Sequence, residues 1–125
     1  MRIFAFDPQA RRKELEQAAA RLAGRPEVLA VVLFGSLVRG EATAMSDADL
    51  FILLESSPLP FPERLVLYRP EGIRGVEAFP YTWEEAVRGL WEGHGLVHAA
   101  LKEGLPLWER EGAWARLKSL ASPSP

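Results

Sequence analysis

Gly35-Ser36 ends one apolar run, and after ten intervening residues Asp47-Ala48-Asp49 opens another. Asp47 and Asp49 alternate on what reads as a strand, so both carboxylates project from one face. Two such charges side by side repel each other and resist ionisation unless a cation sits with them. A hard cation such as Mg²⁺ suits them, because it takes one or two carboxylates and fills its remaining positions with phosphate oxygens. Gly35, at a strand end, can adopt positive φ and lets the backbone approach a ligand closely. Ser36 adds a hydroxyl to the N–H groups of a following turn, a donor set suited to an anion. Each half alone has a plain structural explanation: a tight turn for Gly35-Ser36, a cap before a strand for the aspartates. Together, at this spacing and between two apolar runs, they point to a phosphate held beside a metal, and hence to nucleotide chemistry.

The elements that must position these groups follow from hydrophobic period. Asp7-Pro8 caps a first helix, with apolar positions Leu15, Ala18, Ala19, Leu22 and Ala23 on one face, and Gly24 and Pro26 end it. Residues 28–34 form a continuous Val-rich run, the pattern of a buried strand. Ser36 to Arg39 allows one helical turn, and 40–46 is small and polar, hence loop. Residues 47–54 make the second strand. Pro58, Pro60 and Pro62 punctuate the next connection, and 63–68 fits either a helix after Pro62 or a strand. Residues 73–81 alternate as a third strand, placing Gly75, Glu77 and Phe79 on one face and Arg74, Val76 and Ala78 on the other. Thr82 and Glu85 have capping-box spacing and open a helix that Gly93 and Gly95 can break. A further helical segment runs to Lys102 and stops at Gly104. Residues 108–120 read as a last short helix, and 122–125 as a frayed tail. The expected organisation is a single domain over 1–121, without internal repeats.

Composition bounds the function. The 125 residues are 48% hydrophobic and 26% charged, enough for one core and ordinary for a globular chain. A net charge of −2 supplies no general attraction for nucleic acid. Without Cys, disulfides, thiolate zinc sites and thiol nucleophiles are excluded. The N-terminal segment does not read as a signal peptide and no stretch reaches a membrane span, so the expected location is the cytoplasm. The cations are 12 Arg and 3 Lys; Arg is the better bidentate phosphate clamp, although genome composition explains most of such a bias.

Gly-Ser-Leu-Val-Arg-Gly-Glu-Ala at 35–42, followed by Ser-Asp-Ala-Asp-Leu at 46–50, resembles the signature of the polymerase-β-like nucleotidyltransferase superfamily, and within it the small minimal nucleotidyltransferases (MNT) of HEPN/MNT toxin–antitoxin pairs. The resemblance is strongest over residues 31–54. It implies an α/β (α+β) fold, a small mixed sheet with helices packed on one side. Carried over, it makes Gly35 and Ser36 the triphosphate cradle, sets Arg39 beside the phosphates, and makes Asp47 and Asp49 catalytic metal ligands. Leu37 replaces a residue that is polar or aromatic in many relatives. The family's third carboxylate falls on the next strand, where Glu77 is the only acid; it is a Glu where Asp is usual. The implied chemistry uses two Mg²⁺ ions and ATP, and moves AMP onto a hydroxyl. In small relatives that hydroxyl is often a tyrosine of a HEPN toxin, which would make this chain an antitoxin. The alternative is a non-catalytic module that neutralises its partner by occlusion. Antibiotic nucleotidylation fits less well, because those enzymes usually carry a further substrate domain.

Other features argue for less. His94 and His98 are spaced as a helical metal pair but lack an obvious third ligand. Arg88 and His94 mimic the HEPN ribonuclease motif, which belongs to all-helical proteins. All four tryptophans, at 83, 91, 108 and 114, lie in the C-terminal third. They either close the core or mark a surface for a partner or an oligomer.

Overall fold

The computed structural model describes residues 7–39, 47–93 and 95–121, without the Ser36 side chain. The predicted loop at 40–46, His94 and the tail at 122–125 therefore lie outside the described residues. The first helix, α1, spans Pro8–Leu22; the Asp7 carboxylate accepts from Gln9 and Ala10 N–H, as the Asp-Pro start demands. Strand β1 is Val28–Phe34, α2 is Ser36–Arg39, and β2 is Ala48–Leu54. After α3 (Phe61–Leu67) comes β3 (Val76–Thr82), followed by α4 (Trp83–Glu92) and α5 (Leu96–Glu103). The chain closes with β4 (Leu105–Glu109) and α6 (Ala113–Ala121).

The sheet order is β3-β2-β1-β4. Strands β1 and β2 pair antiparallel, as do β1 and β4, whereas β2 and β3 are parallel. A parallel pair cannot be closed by a tight turn and needs a crossover. That requirement resolves the ambiguous segment as helix α3, which lies in the crossover. Its Arg64 is 4% exposed and forks onto Glu85 of α4, with both N–O distances 2.7 Å, while Nη1 also donates to the Pro80 carbonyl. Each edge strand carries a proline, Pro80 in β3 and Pro106 in β4.

Helices cover both faces of the sheet, not one as expected. Leu15, Ala19 and Leu22 of α1 pack on Val31, Leu33, Leu50, Ile52 and Leu54. Residues of α4, α5 and α6, including Ala86, Val97, Leu101, Trp114 and Leu117, pack on Val32, Phe34, Phe51 and Leu53. The reason is in β1 and β2 themselves: six of seven residues in each are buried, so neither face can be left to water.

Two boundaries also differ. β3 begins at Val76 rather than 73, because Gly75 has φ +64 and breaks the extended run. Residues 105–109 form a fourth strand where Trp108 and Glu109 were expected to start a helix. β1 had an unpaired edge to fill, and the helix begins only at Ala113, after Glu111 and Gly112 turn the chain with positive φ. Glu109 then caps α6, accepting from Trp114 and Ala115 N–H. The tryptophans divide: Trp114 is buried, Trp83 and Trp108 are half-buried, and Trp91 is 77% exposed.

Candidate active site

Antiparallel pairing of β1 with β2 brings the end of one strand to the start of the other, with Phe34 opposite Asp49. Parallel pairing then sets the start of β3 beside the start of β2, with Asp49 opposite Glu77. Glu77 shares its face with Phe79, as the alternation predicts, and Val76 and Ala78 pack on the opposite side. Three chain segments far apart in sequence thus converge at one end of the sheet. Beneath the carboxylates lie Phe34 and Phe79, their ring centroids 5.8 Å apart, which make the floor apolar.

Gly35 is buried, has φ +89, and lies hard against Asp49: a Cβ there would stand 2.4 Å from Asp49 Oδ2. Only glycine satisfies both conditions, so the positive φ anticipated for this position is present, and its nearest neighbour is the Asp49 carboxylate. Two N–H groups of the turn, those of Val38 and Arg39, donate back to the Gly35 carbonyl. Leu37 and Val38 are half-buried against the α1-side core and anchor the turn. The Arg39 side chain is partly exposed and pairs with Glu103 at 2.8 Å.

Asp49 is half-buried, while Asp47 and Glu77 are exposed. Burial pushes the Asp49 carboxyl above its ordinary value, the charges of Glu77 and Asp47 push the same way, and Arg39 opposes them. Burial contributes most to this shift, and the neighbouring carboxylates add a local negative field that a hard cation would relieve. No group of three or more metal-ligating side chains is already gathered among the described residues. The donor set is nonetheless all carboxylate oxygen and open on the Asp47 and Glu77 side, which fits Mg²⁺ completed by water and phosphate rather than a closed protein cage.

Sequence reasoning missed Glu103, the last residue of α5. Its Oε2 accepts from Gly35 N–H at 2.8 Å and from Arg39 Nη1 at 2.8 Å, and its charge also pushes Asp49 up. A signal was available: an acid at a helix C-terminus opposes the helix dipole, so it calls for a donor elsewhere. Of the other candidates, His98 is exposed and its proposed partner His94 lies outside the described residues.

The sequence profile described as "Nucleotidyltransferase domain" matches residues 12–85, more than half of the chain. No curated protein matches the chain in sequence. Among solved structures, a candidate nucleotidyltransferase from Sulfolobus solfataricus is similar with a TM-score of 0.63 and 20% identity, over 83% of this chain and 86% of that one. A toxin–antitoxin structure with AMP-PNP gives a TM-score of 0.56 and 16% identity, over 85% and 82% of the two chains. A tri-AMPylated HEPN toxin in complex with an MNT antitoxin from Shewanella oneidensis gives 0.54 and 13%, over 92% and 83%. At these identities the likeness is one of fold.

Proposed function

Because this chain belongs to the nucleotidyltransferase domain family, whose activity class is nucleotidyl transfer, we propose that it moves AMP from ATP onto a tyrosine hydroxyl of a HEPN-type toxin and thereby acts as its antitoxin. The observation that carries the reading is the close approach of Gly35 to Asp49, together with the register that sets Asp49 opposite Glu77 across the strand pair. It supports a reading in which backbone and Arg39 donors for a triphosphate stand next to carboxylates for a cation. Two of the similar folds are toxin–antitoxin structures, one with AMP-PNP and one with an AMPylated HEPN toxin, which supports this choice of nucleotide and acceptor. No helix among the described residues is long and apolar enough to cross a membrane, and the place of action in this proposal is the cytoplasm.

In this reading Gly35 N–H, the Ser36 hydroxyl and Arg39 hold the triphosphate, and Asp47, Asp49 and Glu77 are the metal ligands. Mg²⁺, expected as two ions, would supply Lewis-acid stabilisation of charge on the attacking and leaving oxygens. The acceptor oxygen attacks the α-phosphorus, a new O–P bond forms, and the bond to pyrophosphate breaks. In this reading the hydroxyl proton passes to Asp49 or Glu77, acting as the general base. Arg39 neutralises charge on the departing phosphates.

A second reading, neutralisation of the partner by occlusion without catalysis, draws on the exposure of Glu77. Incubation with α-labelled ATP, Mg²⁺ and a HEPN-type toxin separates the two. Transfer of label by the wild type and not by Asp49→Asn supports the enzyme. A stable complex that forms without metal, with no label moved by either protein, supports occlusion.

A further inference from the structure

One oxygen of Glu103 takes two donors that a phosphate oxygen would take, Gly35 N–H and Arg39 Nη1. We propose that Glu103 is an internal stand-in for the triphosphate, holding the Gly35 and Arg39 donors until a nucleotide enters and then swinging out. The proposal rests on the nucleotide reading above and adds a regulator to it.

Three features of the fold support this role. Glu103 is the only acid of α5 and sits at its last position, where the helix dipole disfavours a negative charge. It faces a site that is already acidic, with Asp47, Asp49 and Glu77 around the same end of the sheet. A carboxylate persists in such a place because the Gly35 and Arg39 donors hold it. Its mounting also allows it to leave. The helix ends there, and Gly104 follows with no side chain, where a Cβ would stand 2.6 Å from Val32 Cγ1. The backbone at the helix end is thus pressed against β1 while the Glu103 side chain, 24% exposed, reaches the cradle from its rim. A change of side-chain rotamer takes Oε2 off both donors without moving the helix. Weak anions would have to displace an ion pair, whereas a triphosphate arriving with its metal replaces it with several.

The test is calorimetric titration of the full chain with two probes, ATP with Mg²⁺ and inorganic triphosphate with Mg²⁺. Wild type is compared with Glu103→Gln, which keeps the shape, and Glu103→Ala. Removing a competing charge-assisted contact should tighten both probes by about tenfold in both variants. The rise in melting temperature on adding ATP should grow, while the nucleotide-free protein melts no higher than wild type. If the wild type binds ATP and the variants bind it equally or more weakly, Glu103 merely orients Arg39; the proposal is overturned and the nucleotide reading stands. If no protein binds either probe, both fall together. Should Glu103→Ala fail to fold, Glu103→Gln alone decides.

Discussion

Gly35→Ala should damage the site more than the fold. At φ +89 an L-residue costs about 1–2 kcal/mol in backbone strain. The new methyl would stand 2.4 Å from Asp49 Oδ2, where ordinary contact starts near 3.4 Å, so the carboxylate must retreat by about 1 Å. A displacement of that size at reacting groups costs on the order of 100-fold in rate. Gly72→Ala is the matched control, because Gly72 has φ +76 with nothing within 4 Å and carries backbone strain alone. Urea denaturation should show both variants losing stability, with the greater loss at Gly35. Titration with ATP and Mg²⁺, followed by label transfer, should show a loss for Gly35→Ala and none for Gly72→Ala. Wild-type binding and turnover in Gly35→Ala, with a stability loss equal to that of the control, would refute the argument that this glycine sets the position of Asp49.

The Arg64 fork lowers the Glu85 carboxyl to about 2 from 4.5; at full strength that is about 3 kcal/mol, reduced to ~2 by the exposed part of Glu85. That stability is present above pH 4.5 and is lost as pH falls towards 2, so urea unfolding from pH 7 to 2 should show an acid-dependent loss that Glu85→Gln abolishes. Asp49 has the opposite sign: its carboxyl is raised, so stability is fully present below its ordinary value and lost as pH rises through the raised one. Asp49→Asn should therefore melt higher than metal-free wild type at pH 8 yet transfer no label, and a lower melting temperature would contradict this. Phe51 is fully buried between Trp114 and Tyr81, at centroid distances of 5.6 and 5.3 Å, so Phe51→Ala should cost about 3–5 kcal/mol in denaturant titration.

The parts of this fold that chain-local chemistry specifies were legible in advance. Asp7-Pro8 started α1, β1 ran over the expected residues, and Thr82 and Glu85 formed the capping box predicted from their spacing. The alternation that put Glu77 on the same face as Phe79 was readable for the same reason, since side-chain direction in a strand depends only on parity. What could not be read depended on partners distant in sequence. β4 exists because β1 had an open edge, and nothing within Leu-Pro-Leu-Trp-Glu announces that edge. Helix α3 follows from the parallel pairing of β2 with β3, a fact of topology. Glu103 reaches Gly35 across 68 positions of sequence. Its place became visible only once α5 was seen packed beside β1.

The two prolines at the margins of the sheet bear on assembly. Neither Pro80 nor Pro106 has an N–H to offer an incoming strand, and the Pro80 carbonyl is already bound to Arg64. A foreign strand, or a second copy in its place, therefore meets an incomplete ladder at either margin. Growth of the sheet into fibres is discouraged, and so is recognition by strand addition. Under the proposed function, an acceptor protein would then dock through contacts other than strand addition, and the strand ends carrying Asp49 and Glu77 stay clear of such pairing.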